Sequence, residues 1–230
     1  MELRCAGRRF YSNRSINLYN LVGFRLTGTD IVRFHEALIY IPRKNIKTSF
    51  AASLAWALGL WYRKSGSKVY ITSAALMQSL ESFNFIKYNV TRMGEDQKSG
   101  GAVKIIDNEH SLEASLGDGS FFIRALAANP DTQDSLNANI AIADEIHAFK
   151  KPKQYNLFKE AMKAYTNKLL IGISTAGDDE QAFLGQRLKY CRKVLDGTVQ
   201  DEQYFIFMCC ANPNPETGEI DYTDPKVHEM

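Results

Sequence analysis

Short apolar runs alternate with longer stretches of helical period along this chain. Residues 37–41, Ala-Leu-Ile-Tyr-Ile, are rich in β-formers, and 39–41 predict a buried strand. Residues 47–62 carry Ala51, Ala52, Leu54, Ala55, Leu58 and Leu60 on most sides. A helix of that kind packs against a sheet rather than facing water, and Ser65-Gly66 stops it. Residues 68–72 predict a second strand, after which Ser73 is an expected N-cap. Leu76, Leu80, Phe83, Ile86, Val90 and Met93 then recur at helical spacing, with Gly94 as the cap. Between 95 and 128 the character changes. Strand-like pieces at 103–106, 112–116 and 121–123 are separated by turn signals, which predicts a small β-meander. Asn129-Pro130-Asp131 opens a loop. Strands are expected at 139–143, 168–173 and 204–208, and helices at 156–165 and 179–195, the latter ended by Gly197. Residues 1–36 have no clean period, and 212–218 read as loop. Strands alternating with helices predict an α/β fold with a mostly parallel central sheet flanked by helices.

Composition narrows the class. The 230 residues are 45% hydrophobic and 23% charged, as in one large globular domain. No apolar run reaches membrane length, and residues 1–14 are polar and basic, unlike a secretory signal. Cys5, Cys191, Cys209 and Cys210 lack C-x-x-C spacing, which speaks against a zinc site and for reduced thiols. The net charge is +2, unevenly spread: residues 1–70 hold 12 of the 28 basic and 3 of the 26 acidic residues. Such a basic first third suits a polyanionic partner, or is a solvated surface.

Three strand ends carry candidate chemistry. After the first come Pro42-Arg43-Lys44-Asn45-Ile46-Lys47-Thr48-Ser49 and then a helix. Strand, loop, Lys-Thr and helix is the layout of a phosphate-binding P-loop, because the first N–H groups of a helix have no partner within it. Lys47 would place a charge near the β- and γ-phosphates, and the Thr48 hydroxyl would bind Mg²⁺. The usual pattern has glycine where this chain has Ile41 and Ile46. After the strand at 139–143 stand Asp144-Glu145, a Walker B layout. Asp144 would hold Mg²⁺ and Glu145 would polarise the attacking water, or the two form an acidic helix cap. After the strand at 168–173 stand Ser174-Thr175, which can meet a phosphate or water, or satisfy turn backbone. His147 has no second ligand at metal spacing.

Taken in order, 42–48, Ala143-Asp144-Glu145-Ile146-His147-Ala148 and Ile173-Ser174-Thr175-Ala176-Gly177 resemble the ATPase half of the large terminase subunit of tailed bacteriophages. The resemblance implies an additional-strand, conserved-glutamate P-loop NTPase. It assigns 1–36 to a lead-in region packed on the core, 37–210 to the ATPase, and 211–230 to the start of a linker toward a nuclease domain absent here. It implies ATP and Mg²⁺ as cofactors, with Arg43, Lys44, Asn45, Ile46, Lys47, Thr48 and Ser49 as the Walker A segment. Thr48 and Asp144 would hold the metal, Glu145 and Lys47 would be catalytic, and Ser174-Thr175 would be the coupling motif. Arg124 is the candidate arginine finger, by its location upstream of Walker B. Implied partners are double-stranded DNA, portal protein and the small terminase subunit. The chain would form a homo-oligomeric ring when active, be a monomer in isolation, and act in the cytoplasm of a bacterial host, encoded by a virus or prophage. An alternative, resting on Ile46, is a P-loop module that no longer hydrolyses ATP and serves only in assembly or DNA contact.

Overall fold

A computed structural model describes residues 19–45, 47–129, 136–177, 179 and 181–210. Eight strands form one sheet: β1 (Glu36–Tyr40), β2 (Ser67–Ser73), β3 (Val103–Ile106), β4 (Ser111–Leu116), β5 (Gly119–Ala127), β6 (Ile140–Asp144), β7 (Leu169–Ser174) and β8 (Tyr204–Met208). Their order is β3-β4-β5-β2-β6-β7-β1-β8. From β5 through β8 every pairing is parallel, and β4 runs antiparallel to both its neighbours. The helices packed on the sheet are α1 (Lys47–Trp61), α2 (Leu76–Arg92), α3 (Pro152–Ala161) and α4 (Phe183–Leu195), and among the described residues 19–23 are helical as well.

The strand period of two builds two cores. Ala37, Ile39, Val69, Ile71, Ile140, Ile142, Leu169, Ile171 and Ile173 face one side, where α1 and α2 lie. Leu38, Tyr70, Ala141, Ala143 and Leu170 face the other, with residues of α3 and α4. Central strands buried on both faces read as continuous apolar runs, which is why β6 and β7 show no alternation in sequence. Helix α1 approaches the sheet closely: a Cβ on Gly59 would already touch Val69, Phe121 and Ile123. It is apolar nearly all round because it is packed between the sheet and α2, as its composition predicts.

The expected meander is present as β3-β4-β5, but it is continuous with the main sheet, since β5 runs nine residues and pairs in parallel with β2. Ser73 corrects a sequence expectation. It is the last residue of β2, buried, and α2 starts after Ala75. Helix α3 starts four residues before the expected 156, with Pro152 in its first turn. The Gln154 side chain reaches back to the Lys150 and Lys151 N–H groups. Helix α4 begins at Phe183 rather than 179. Ile46, the first part of the lead-in, Pro130-Asp131 and the 211–230 segment lie outside the described residues.

Candidate active site

Register brings three strand ends together. Strand β7 lies between β1 and β6, with Tyr40 opposite Ser174 and Asp144 opposite Ile173. The polar segments following β1, β6 and β7 therefore leave the same edge of the sheet, within one rung of each other. That edge, at the carboxyl ends of parallel strands, is where α/β sheets place ligands. The period of two then sorts the side chains. Asp144 follows Ile140 and Ile142 onto the face that carries α1, and Ser174 alternates onto the opposite face.

Lys47, the first residue of α1, is 7% exposed, and its Nζ lies 3.8 Å from Glu145 Oε1. Burying an ammonium is costly unless it is paired, so the carboxylates at the end of β6 account for its position. Asp144 is 3% exposed, and its Oδ1 accepts the Glu145 N–H at 2.9 Å. Burial, reinforced by the Glu145 charge, pushes its carboxyl up to about 7 against the opposing pull of Lys47. Glu145 itself sits in the left-handed region, φ +53°. Such a conformation costs a non-glycine residue on the order of 1–2 kcal/mol, and strain of this kind concentrates where geometry is functional.

The loop before α1 also holds a left-handed residue, Lys44 at φ +63°. Its neighbour Asn45 donates from Nδ2 to the Pro42 and Arg43 carbonyls at 3.1 and 3.3 Å, closing the turn from inside. Arg43 and Lys44 are exposed and Asn45 is half-buried. Thr48 and Ser49 are half-buried in the first turn of α1, and the Thr48 carbonyl accepts Ser82 Oγ at 3.2 Å. The Ser49 carbonyl accepts Ser53 Oγ at 2.7 Å.

Ser174 is fully buried and Thr175 is 2% exposed. The Ile41 N–H donates to the Ser174 carbonyl at 3.1 Å, tying the P-loop's entry to β7. Ser174 Oγ accepts the His147 backbone N–H at 3.1 Å and donates to the Thr175 carbonyl at 3.0 Å. His147 Nδ1 stands 3.1 Å from Glu145 Oε2 and 3.3 Å from Ser174 Oγ. Gly177 passes close behind it, so that an added Cβ would fall 3.2 Å from His147 Cβ. In the sequence His147 stands as a metal ligand without a second one at ligand spacing and as one position of the 143–148 match, with no role of its own. The signal that could have found it was its place two residues after Glu145, before a Ser-Thr strand end.

Lys47, Asp144, Glu145, Ser174 and Thr175 thus converge. Arg124 does not join them. It lies in the middle of β5, opposite Tyr70 of β2 and Ser111 of β4, exposed and three residues short of that strand's end. Among the described residues no group of three or more His, Cys, Asp or Glu could hold a metal ion by itself. No described helix is long and apolar enough to cross a membrane.

The family model "Terminase large subunit, ATPase domain" matches residues 14–193. No curated protein matches the chain. Among solved structures, the large terminase of bacteriophage HK97 is similar at 19% identity, over 85% of this chain and 39% of that one, with TM-score 0.65. The large terminase of a thermophilic bacteriophage in complex with ADP is similar at 10% identity, over 86% and 44%, with TM-score 0.59. A mutant ATPase domain from the large terminase of Thermus phage P74-26 is similar at 14% identity, over 91% and 87%, with TM-score 0.54. The chain therefore spans about two-fifths of the length of the first two relatives.

Proposed function

The chain belongs to the family of terminase large-subunit ATPase domains, and from that premise we propose that it binds and hydrolyses ATP to drive viral DNA into a procapsid. The observation that carries this reading is the buried Lys47 ammonium, 3.8 Å from Glu145 and beside Asp144. One ammonium faces two carboxylates, one of them pushed up to about 7 by burial and repulsion. A divalent cation suits that excess of negative charge, and Asp144 with the Thr48 hydroxyl would hold it. Mg²⁺ bound there supplies charge neutralisation of the β- and γ-phosphates.

The chain's own residues do the rest. The N–H groups opening α1 offer donors to phosphate oxygens, and Lys47 adds a point charge. In the nucleotide-free arrangement Lys47 pairs with Glu145. A phosphate is the stronger partner for an ammonium, so its arrival frees the Glu145 carboxylate to accept a proton from the attacking water and orient it. Ser174 and Thr175, between the P-loop strand and the Asp144 strand, sense the γ-phosphate and pass its loss to β7. Residues 37–210 form the ATPase unit. Arg124 acts on a neighbouring subunit in a homo-oligomeric ring, an arrangement that its distance from this chain's own site supports. Double-stranded DNA, portal protein and the small terminase subunit are the partners of that ring, and the host cytoplasm is its compartment.

Titration with ATP and Mg²⁺ tests the reading. Wild type binds, and Lys47→Ala weakens binding at least about tenfold, the equivalent of 1.4 kcal/mol. Glu145→Gln keeps binding and loses turnover by about a hundredfold or more. Wild-type affinity retained in Lys47→Ala would sink the site. Binding without any turnover in wild type would select the second reading, favoured by Ile46, of a module that only assembles or contacts DNA.

A further inference from the structure

His147 stands at a junction that the reading above does not use. It belongs to the short turn Ile146–Ala148, which follows the left-handed Glu145. Its Nδ1 has two oxygens within reach, Glu145 Oε2 at 3.1 Å and Ser174 Oγ at 3.3 Å. The proton inventory of the three groups is tight. A carboxylate only accepts. The single Ser174 hydroxyl proton goes to the Thr175 carbonyl. Neither oxygen can donate to the ring, so Nδ1 carries the hydrogen. That one N–H is aligned with Ser174 Oγ, which leaves the buried Glu145 Oε2 without a hydrogen-bond partner although it is slightly nearer. An orphaned buried carboxylate oxygen is costly. It is tolerated here a small ring rotation away from its donor.

We infer that His147 is a positioning residue whose one Nδ1–H is shared between Ser174 and Glu145, so that the orientation of the Glu145 carboxylate depends on what Ser174 is bonded to. The inference rests on the proposed ATPase reading of the same site. With no nucleotide, the imidazole serves Ser174, and Glu145 leans on Lys47. When the Ser174 hydroxyl turns to a bound phosphate, its lone pairs turn with it and Nδ1–H has one acceptor left, Oε2. The Glu145 carboxylate is then held in one orientation at the moment its pairing with Lys47 is released. Gly177 is part of the device. A side chain there would press on His147 Cβ at 3.2 Å and fix the ring.

Two measurements on the full chain test this. The first needs no turnover. With ¹⁵N-labelled histidine, the nucleotide-free protein shows one ring, identified by its loss in His147→Ala, whose protonated nitrogen is Nδ1. Its signal moves in Ser174→Ala, where Glu145 becomes the sole acceptor. A ring protonated only at Nε2, or a signal indifferent to Ser174→Ala, overturns the inference. The second is steady-state ATP turnover with a separate ATP titration. His147→Ala lowers kcat roughly ten- to hundredfold, the value of one hydrogen bond to a charged group, and leaves ATP affinity unchanged. His147→Asn, whose amide presents an N–H in place of Nδ1, returns kcat to within about threefold of wild type. Equal kcat in His147→Ala and wild type, or a loss that His147→Asn does not recover, overturns the positioning role and leaves the ATPase reading intact. Absence of turnover in wild type sinks hydrolysis and the positioning role together, while the ring signal still reports the junction.

Discussion

Asp144 shows how a single residue can set the chain's response to pH. Its raised pKa means that the folded chain keeps this proton where the unfolded chain loses it, from near pH 4 to about 7. The folded state binds the extra proton, so stability falls as pH rises through that window, by on the order of 4 kcal/mol, and stays low above it. Thermal unfolding of the nucleotide- and metal-free chain should show this fall, and Asp144→Asn should flatten it while losing Mg²⁺-dependent ATP binding. A steeper fall in the variant would mean that burial at β6 is relieved by something other than protonation. A second residue-scale expectation concerns Ile46, which lies outside the described residues. Glycine adopts strained backbone freely and leaves room for a close ligand, whereas a β-branched residue does not. Ile46→Gly is therefore expected to raise ATP affinity and turnover, with Lys47→Ala abolishing the gain. Identical titrations for wild type and Ile46→Gly would show that the loop tolerates isoleucine. The left-handed residue described in this loop is Lys44, two positions earlier.

At the scale of elements, the helices on one face are tied to the sheet by charge as well as by apolar packing. Glu36, at the start of β1, pairs with Lys159 of α3 at 2.5 Å and with Arg187 of α4. The Arg187 guanidinium also lies 4.7 Å from the Tyr155 ring centroid and 5.6 Å from those of Phe183 and Tyr204. Burial, with Glu36 nearby, holds the Tyr155 hydroxyl well above the usual tyrosine range, so it remains a neutral donor. Arg187 is 17% exposed. Removing its carboxylate leaves a charge buried among aromatic rings, and Glu36→Ala should cost about 3–5 kcal/mol in urea unfolding. The Arg63–Asp118 pair, at 2.7 Å, is far more open, and Asp118→Ala should cost much less in the same measurement. If the two losses were equal, burial would not be what gives the Glu36 cluster its weight.

The whole molecule is a two-sided α/β sheet with its chemistry gathered at one edge and its positive charge spread more widely. Lys150, Lys151 and Lys153 are exposed at and just before the start of α3, next to the end of β5 that Gln154 contacts through Ala128. The proposed motor must move past every DNA sequence, so phosphate contacts rather than base contacts should dominate. For about four phosphates neutralised, a fourfold rise in salt should weaken duplex binding roughly a hundredfold, whatever the sequence. Affinity independent of salt, or dependent on one short sequence, would contradict this.

The sequence by itself determined the order and type of most elements and the polar pairs that stand at three strand ends, but not Arg124's place away from them or His147's place among them. Apolar runs of strand length, helical periods and glycine stops are local properties, and parallel strands send their carboxyl ends to one edge whatever the details. Lys47-Thr48, Asp144-Glu145 and Ser174-Thr175 were therefore legible as a set. Tertiary structure alone decided what depends on contacts between distant residues. It placed β5 as a full strand beside β2, because pairing partners are chosen across the sheet and not along the chain. It joined Glu36 to Arg187 across 151 positions. It set His147 between Glu145 and Ser174, because the turn after β6 and the end of β7 share a face only once the strands are in register. Local pattern reports which side of an element is apolar; which side chains then share a proton depends on fractions of an ångström set by the packed sheet.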